Sequence, residues 1–287
     1  MASPKAQYRR GALEPVCYPG TMTFAERLSA LCRERRSNVC VGLDPLPDRL
    51  PWPVRDADDP VFAFNRAIVD ATLDIVPAYK PNLAFYEALG LAGWTSLKRT
   101  VEYIGRRAVV IGDAKRGDID STAVAYAAGL FEAFGFEAAT VNAYLGADGV
   151  APFLAYRDRG VFVLCRTSNR SAAELQDCCD GEETLYQRVA RLAASWNQHG
   201  NCGLVAGATR PEDLARVRSL APGLPLLVPG VGAQGGDATE SARAARSVPG
   251  PFVISASRSI IYADEGADFA EAARRAASAL RDQIAAA

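Results

Sequence analysis

Eight short β-rich apolar runs alternate with helix-compatible stretches along this chain, and that alternation constrains the fold more than any other feature. The runs are NVCVGLD (38–44), VPAYKPN (76–82), AVVIGDA (108–114), AATVNAY (138–144), GVFVLCRTS (160–168), GLVAGAT (203–209), PLLVPGVG (225–232) and PFVISAS (251–257). Between them lie segments such as VFAFNRAIVDATLD and PEDLARVRSL, with DFAEAARRAASALRDQIA closing the chain. The runs read as continuous apolar segments, which is what strands buried on both faces require. The pattern therefore predicts an α/β fold, a single-domain (β/α)8 TIM barrel; a doubly wound open sheet is the structural alternative. The 287 residues exceed the usual single-domain length, but a barrel of roughly 250 residues is one domain.

Residues 1–21 stand outside the pattern, with Pro, Gly and Arg and no periodicity. They are expected to form a disordered extension, with the barrel running over 22–287. Met22 opens MTFAERLSALCRERRS, where Phe24, Leu28 and Leu31 recur at helical spacing, and it could be the natural start.

Charge and composition remove several classes of function. The 32 basic and 33 acidic residues nearly cancel, and the basic pairs Arg9-Arg10, Arg35-Arg36 and Arg106-Arg107 lack interleaved aromatics. Neither nucleic acid nor a membrane surface is the expected partner. Seven scattered cysteines without a C-x-x-C read as reduced intracellular thiols. The one histidine, His199, lies in the turn-like WNQHGNCG; its ordinary reading is an exposed loop residue, and no histidine-based metal site or Ser/His triad can be built around it. No signal peptide or membrane-spanning run is visible, so a cytoplasmic location is expected.

In such a barrel, chemistry gathers at the C-terminal ends of the strands. Six of the eight ends carry polar candidates: Asp44; Lys80 and Asn82; Asp113 and Lys115, with Asp118 beyond; Arg166 to Asn169, including Ser168; Gly230 to Gly232 with Gln234; and Ser257 with Arg258. Asp113 and Lys115 are two apart on a strand and point to one side. Alone, D-x-K-x-x-D reads more readily as a solvated salt bridge at a strand end than as a catalytic motif. With Lys80 on the neighbouring strand, two lysines and two or three carboxylates form an alternating array that keeps each ammonium protonated. A lysine so held is a poor Schiff-base nucleophile but a good general acid toward a developing carbanion. The glycines of VPGVGAQGGD could turn tightly or present backbone N–H groups to an anion; paired with Arg258 they favour a phosphate site.

VGLDP (41–45), KPNLAFYE (80–87), DAKRGDIDSTA (113–123), VNAYLGADGVAPFL (141–154), VLCRTSN (163–169), LLVPGVGAQGGD (226–237) and SRSIIYA (257–263) together resemble the orotidine 5′-phosphate decarboxylase family, in its longer, bacterial type 2 branch. The resemblance runs in order from about Met22 to the last helix. It implies cofactor-free, metal-free decarboxylation of orotidine 5′-monophosphate (OMP) to uridine 5′-monophosphate (UMP), the last step of pyrimidine nucleotide synthesis, by a homodimer with shared active sites. It places Asp44 on a ribose hydroxyl, Lys80 in the charge network and near the ribose, Asp113 beside the substrate carboxylate and Lys115 at C6 as proton donor. Asp118 and Thr122 would come from the neighbouring subunit, and Asn82 would join the substrate-binding set. Ser168 would read the pyrimidine edge, and Gln234 and Arg258 would hold the phosphate with backbone amides near Gly232 and Ser257. Arg170-Ser171 stands where the family commonly has Pro-Gly, which is expected to alter closure of that loop. Two other functions fit parts of the pattern. One is a metal-dependent barrel acting on sugar phosphates through the same D-x-K-x-x-D segment. The other is a nucleotide-sensing barrel without turnover, against which the clustered charge array argues.

Overall fold

The computed structural model describes residues 22–232 and 235–287. Among them, eight parallel strands close into a barrel: β1 Val39–Gly42, β2 Ala78–Lys80, β3 Val109–Arg116, β4 Ala138–Val141, β5 Gly160–Arg166, β6 Cys202–Ala206, β7 Leu226–Pro229 and β8 Phe252–Ala256. Each strand pairs with its neighbours in sequence, and β8 closes on β1 through Val39–Ile254, Cys40–Ser255 and Val41–Ala256. The expected TIM barrel is therefore the fold, and the open sheet is excluded by that closing seam.

Strand alternation sorts the core into two layers. Cys40, Ala78, Val109, Ile111, Ala138, Phe162, Val205, Leu227 and Val253 fill the barrel interior. Their neighbours, such as Val39, Val41, Val110 and Ala139, face outward and pack beneath the helices. The interior is thus a packed core that leaves only its upper end for chemistry.

Its lower end is plugged by the helix Phe24–Arg35, whose Phe24, Leu28 and Leu31 join the interior cluster. Phe24 meets Phe162 edge-on at 5.7 Å between ring centroids, a favoured aromatic geometry. Thr23 starts this helix with a capping box: its hydroxyl accepts from the Glu26 amide while the Glu26 carboxylate accepts from the Thr23 amide. Met22 adjoins this cap; residues 1–21, expected to be an extension, lie outside the described residues.

Around the barrel, several connections carry local structure of their own. Strand β3 runs on to Arg116 instead of stopping near residue 114, because it bulges. Between β2 and β3 the chain forms two helices, Leu83–Glu87 and Gly90–Ile104, parted at Ala88-Leu89. After β5 the chain forms the turn Arg170–Ala172, the short helix Ala173–Gln176 and a small hairpin of Cys179–Asp180 with Glu183–Thr184 before the helix Leu185–Trp196. None of the described helices is long and apolar enough to cross a membrane.

Candidate active site

Inward-facing residues of the last strand turns enclose a cavity of about 440 Å³ at the C-terminal mouth, within the range of small-molecule sites. Asp44, Lys80, Asn82, Asp113, Lys115, Ser168, Ser257 and Arg258 all line it. Eight of the residues proposed from sequence, spread over more than two hundred positions, thus share one wall.

Asp113 is the centre of the charged floor. Its Oδ2 accepts from Lys80 Nζ at 2.8 Å and its Oδ1 from Lys115 Nζ at 2.6 Å. Burial pushes the Asp113 carboxyl upward, but the two ammonium groups more than reverse this and hold it well below the ordinary carboxylate range. Burial likewise favours a neutral Lys80, yet Asp113 and Asp44 keep its pKa above the usual lysine value. Lys80 and Asp113 are buried, whereas the Lys115 side chain is 48% exposed and faces the cavity. Asp44 accepts from the Asn82 backbone N–H at 3.1 Å, and the Asn82 side chain caps the helix Leu83–Glu87 through the Ala84 amide.

The opposite end of the cavity brings a glycine loop together with Ser257 and Arg258. Gly230, Gly232 and Gly235 take left-handed φ of 99°, 75° and 86°, angles open to glycine at little cost. They let the loop turn back so that Gly236 donates to Gly230 O and Gly232 to Gly236 O. Gly232 follows the cavity-lining Val231, with Ser259 beside it; Gln234 lies outside the described residues. The helix Ala238–Arg246 contributes less than its position suggests, because the Asp237 carboxylate already caps its first turn. The Arg258 guanidinium is exposed and has no ion-pair partner among the described residues. The Ser257 hydroxyl is buried without a hydrogen-bond partner among them.

Two close approaches fix this geometry. A Cβ on Gly207 would come within 2.9 Å of the Ser168 amide nitrogen, and one on Gly42 within 2.6 Å of Ser257 Cβ. Bare glycines at the ends of β6 and β1 therefore let the Ser168 and Ser257 loops pack against the rim. The sequence reading assigned neither glycine a role.

It also passed over Thr140, which lines the cavity from β4 and donates to Asp113 Oδ1 at 2.9 Å. Its signal was available: in AATVNAY it is a polar residue two positions after the inward Ala138. Asp118 and Thr122 do not line the cavity. Asp118 lies just past the end of β3, where its carboxylate accepts from the Ile119 amide, and Thr122 is exposed on the helix Asp120–Ala128.

A barrel with a lysine-flanked buried aspartate facing an arginine- and glycine-lined rim has known counterparts. Residues 37–276 match the family described as "Orotidine 5'-phosphate decarboxylase / HUMPS family". The chain belongs to this family. A family member from Roseiflexus sp. (strain RS-1), named orotidine 5′-phosphate decarboxylase, is 50% identical over 267 residues, which is 92% of this chain and 97% of its own. One of the same name from Cellvibrio japonicus is 49% identical over 270 residues, 92% of this chain and 98% of its own. Among solved structures, Leishmania donovani OMP decarboxylase matches with a TM-score of 0.78 and 35% identity, covering 92% of this chain and 98% of the other.

Proposed function

We propose that this chain decarboxylates OMP to UMP without metal or cofactor, using Lys115 as the proton donor to C6. The observation that carries the reading is the Lys80–Asp113–Lys115 array, because it presents a fixed ammonium on the floor of the cavity. Losing carbon dioxide leaves the electron pair of the broken C6–carboxylate bond on C6, where no adjacent carbonyl delocalises it. A positive charge fixed before the reaction stabilises that pair without reorganisation. The Lys115 ammonium then gives C6 its proton and recovers one from solvent. Asp113 holds Lys115 in place and lies beside the substrate carboxylate. Arg258, Gln234, the Ser257 hydroxyl and the amides near Gly232 hold the phosphate, Asp44 and Asn82 the ribose, and Ser168 the pyrimidine edge. Binding energy collected at the phosphate, remote from the reacting bond, lowers the barrier when it is coupled to closure over the base.

The donor set supports metal-free chemistry. Both Asp113 oxygens already accept from ammonium groups, and no group of three His, Cys, Asp or Glu side chains among the described residues could hold a metal ion. Chelator-treated protein is expected to keep full activity. Loss on chelation, restored by a divalent ion, would favour the metal-dependent sugar-phosphate reaction instead.

The reading includes a cytoplasmic homodimer. Around Asp118 and Thr122, Ile119, Tyr126, Tyr144 and Leu145 are 47%, 39%, 84% and 47% exposed on neighbouring elements. Large apolar side chains gathered on a surface mark an interaction site. A second copy seated there would receive Asp118 and Thr122 at its own cavity.

The deciding experiment follows the ultraviolet absorbance of OMP with purified wild type, Lys115→Ala and Arg258→Ala. Wild type should consume OMP. Lys115→Ala should lose nearly all turnover while still binding UMP, and Arg258→Ala should chiefly raise KM. Identical behaviour of the two variants would contradict the assigned roles.

A further inference from the structure

Strand β3 is out of register with β4 where the catalytic residues sit. Gly112 pairs with Ala139 and Arg116 with Val141, so four steps on β3 match two on β4. Such a bulge takes backbone groups out of the ladder and re-aims side chains. Here it carries Lys115 into the left-handed region at φ 47°, a conformation in which a side chain with a Cβ is strained. At a bulge an amide also needs a partner in place of the missing ladder acceptor.

Thr140 supplies that partner. Its Oγ1 accepts the Lys115 backbone N–H at 3.0 Å and donates its own proton to Asp113 Oδ1 at 2.9 Å. Thr140 is 1% exposed and sits opposite the bulge. One hydroxyl thus ties the backbone of the lysine to the carboxylate that holds its ammonium, closing a ring with the 2.6 Å Lys115 Nζ–Asp113 contact. A hydroxyl has one proton to donate and can accept in return, so a single side chain serves both contacts.

We propose that Thr140 is a positioning residue for the decarboxylation: its hydroxyl holds the bulged Lys115 backbone and Asp113 in the one arrangement that aims the ammonium at C6. The proposal rests on Lys115 being the proton donor. Thr140 acts through Lys115, so its loss is felt where the carbanion forms and little where the nucleotide merely binds.

Thr140→Val keeps the shape and removes the hydroxyl; Thr140→Ser keeps the hydroxyl and removes the methyl. With OMP, Thr140→Val should lose at least ten-fold in kcat with KM within about three-fold, and Thr140→Ser should retain most of the turnover. UMP affinity should be unchanged in Thr140→Val, while affinity for a uridine monophosphate bearing an oxyanion at C6, which mimics the carbanion, falls with kcat. Amide hydrogen exchange at Lys115 should accelerate in Thr140→Val and not in Thr140→Ser. Wild-type kcat in Thr140→Val, unchanged exchange at Lys115, or Thr140→Ser as slow as Thr140→Val would each overturn the proposal. A wild-type protein inert on OMP would overturn the decarboxylase reading on its own and leave exchange at Lys115 to decide the clamp.

Discussion

Asp113 is nine-tenths buried and still ionised, because burial, which alone would neutralise it, is outweighed by Lys80 and Lys115. Its folded pKa lies below its unfolded value, so its contribution to stability is present above the ordinary carboxylate range and is lost as pH falls through the folded value. Lys80 has the opposite sign: its folded pKa is raised, so its contribution is full below the ordinary lysine range and is lost as pH rises through the folded value. The Lys80–Asp113 pair is therefore fully charged from about pH 5 to 9. Asp113→Asn should cost on the order of 3 kcal/mol, since it leaves the buried Lys80 ammonium without its partner. Denaturant melts of wild type and variant should differ by a constant amount across that window, with the gap narrowing below about pH 4. A gap that vanished at neutral pH would mean the pair is not ionised. Gly207→Ala tests geometry at the same scale. Its methyl group would meet the Ser168 backbone at 2.9 Å, so KM for OMP should rise several-fold with little change in melting temperature.

The segment after β5 shows how an element outside the barrel can govern one inside it. Arg166, 2% exposed, faces outward between helices: Nε donates to Asp213 Oδ2 at 2.8 Å, Nη1 lies 2.7 Å from Asp177 Oδ1, and the guanidinium sits 5.0 Å from the centre of the Tyr186 ring. Burial disfavours its charge, but the two carboxylates more than restore it. Asp213 belongs to the helix Pro211–Leu220 and Asp177 to the loop, so one buried cation binds both. Gln176 adds a second tie, accepting from the Thr167 amide and donating to its hydroxyl. Ser168, beside Thr167, lines the cavity, so the loop's anchorage and the proposed base recognition share a few residues. Asp177→Ala should raise KM for OMP several-fold and speed proteolytic cleavage between residues 170 and 184. Its global stability should fall by only about 1 kcal/mol, the scale of a part-exposed ion pair. Unchanged KM with rapid cleavage would separate the loop from recognition. Arg170 and Ser171, whose departure from the family pattern is visible in the sequence, sit exposed at the start of this loop.

For the molecule as a whole, the proposed dimer predicts complementation. Lys115→Ala and Asp118→Ala homodimers should each be nearly inactive. After subunit exchange, a mixed dimer has one site with both lesions and one with neither, so equal mixing should restore about a quarter of wild-type activity in a two-fold dimer. No recovery after demonstrated exchange would show that Asp118 serves its own subunit. At the other end of the barrel the expectation is reversed. Arg218 is fully buried and, among the described residues, has only carbonyl partners in Ala245, Leu224 and Pro251, tying together the loops below β7 and β8. Arg218→Met should cost on the order of 3 kcal/mol through unpaired carbonyls while leaving kcat of the folded fraction unchanged, as measured by melts and steady-state kinetics.

The barrel and most of the cavity wall were legible in the sequence because both follow from period. Strands buried on both faces must read as apolar runs, and alternation on those strands sends Lys80, Asp113, Ser255 and Ser257 inward regardless of their distance in the chain. The polar residues at strand ends stood out for the same reason. What period cannot encode is where it is interrupted. The β3 bulge, the left-handed Lys115 and the hydroxyl of Thr140 that holds them arise from a register shift between two strands, which neither strand shows alone. Gly207 and Gly42 matter through backbones brought close by closure of the barrel. The buried clamps at Arg166 and Arg218 draw partners from three separate segments each. Local sequence sets which face a side chain takes; only the closed tertiary structure decides what it meets there, because those contacts come from residues remote in the chain.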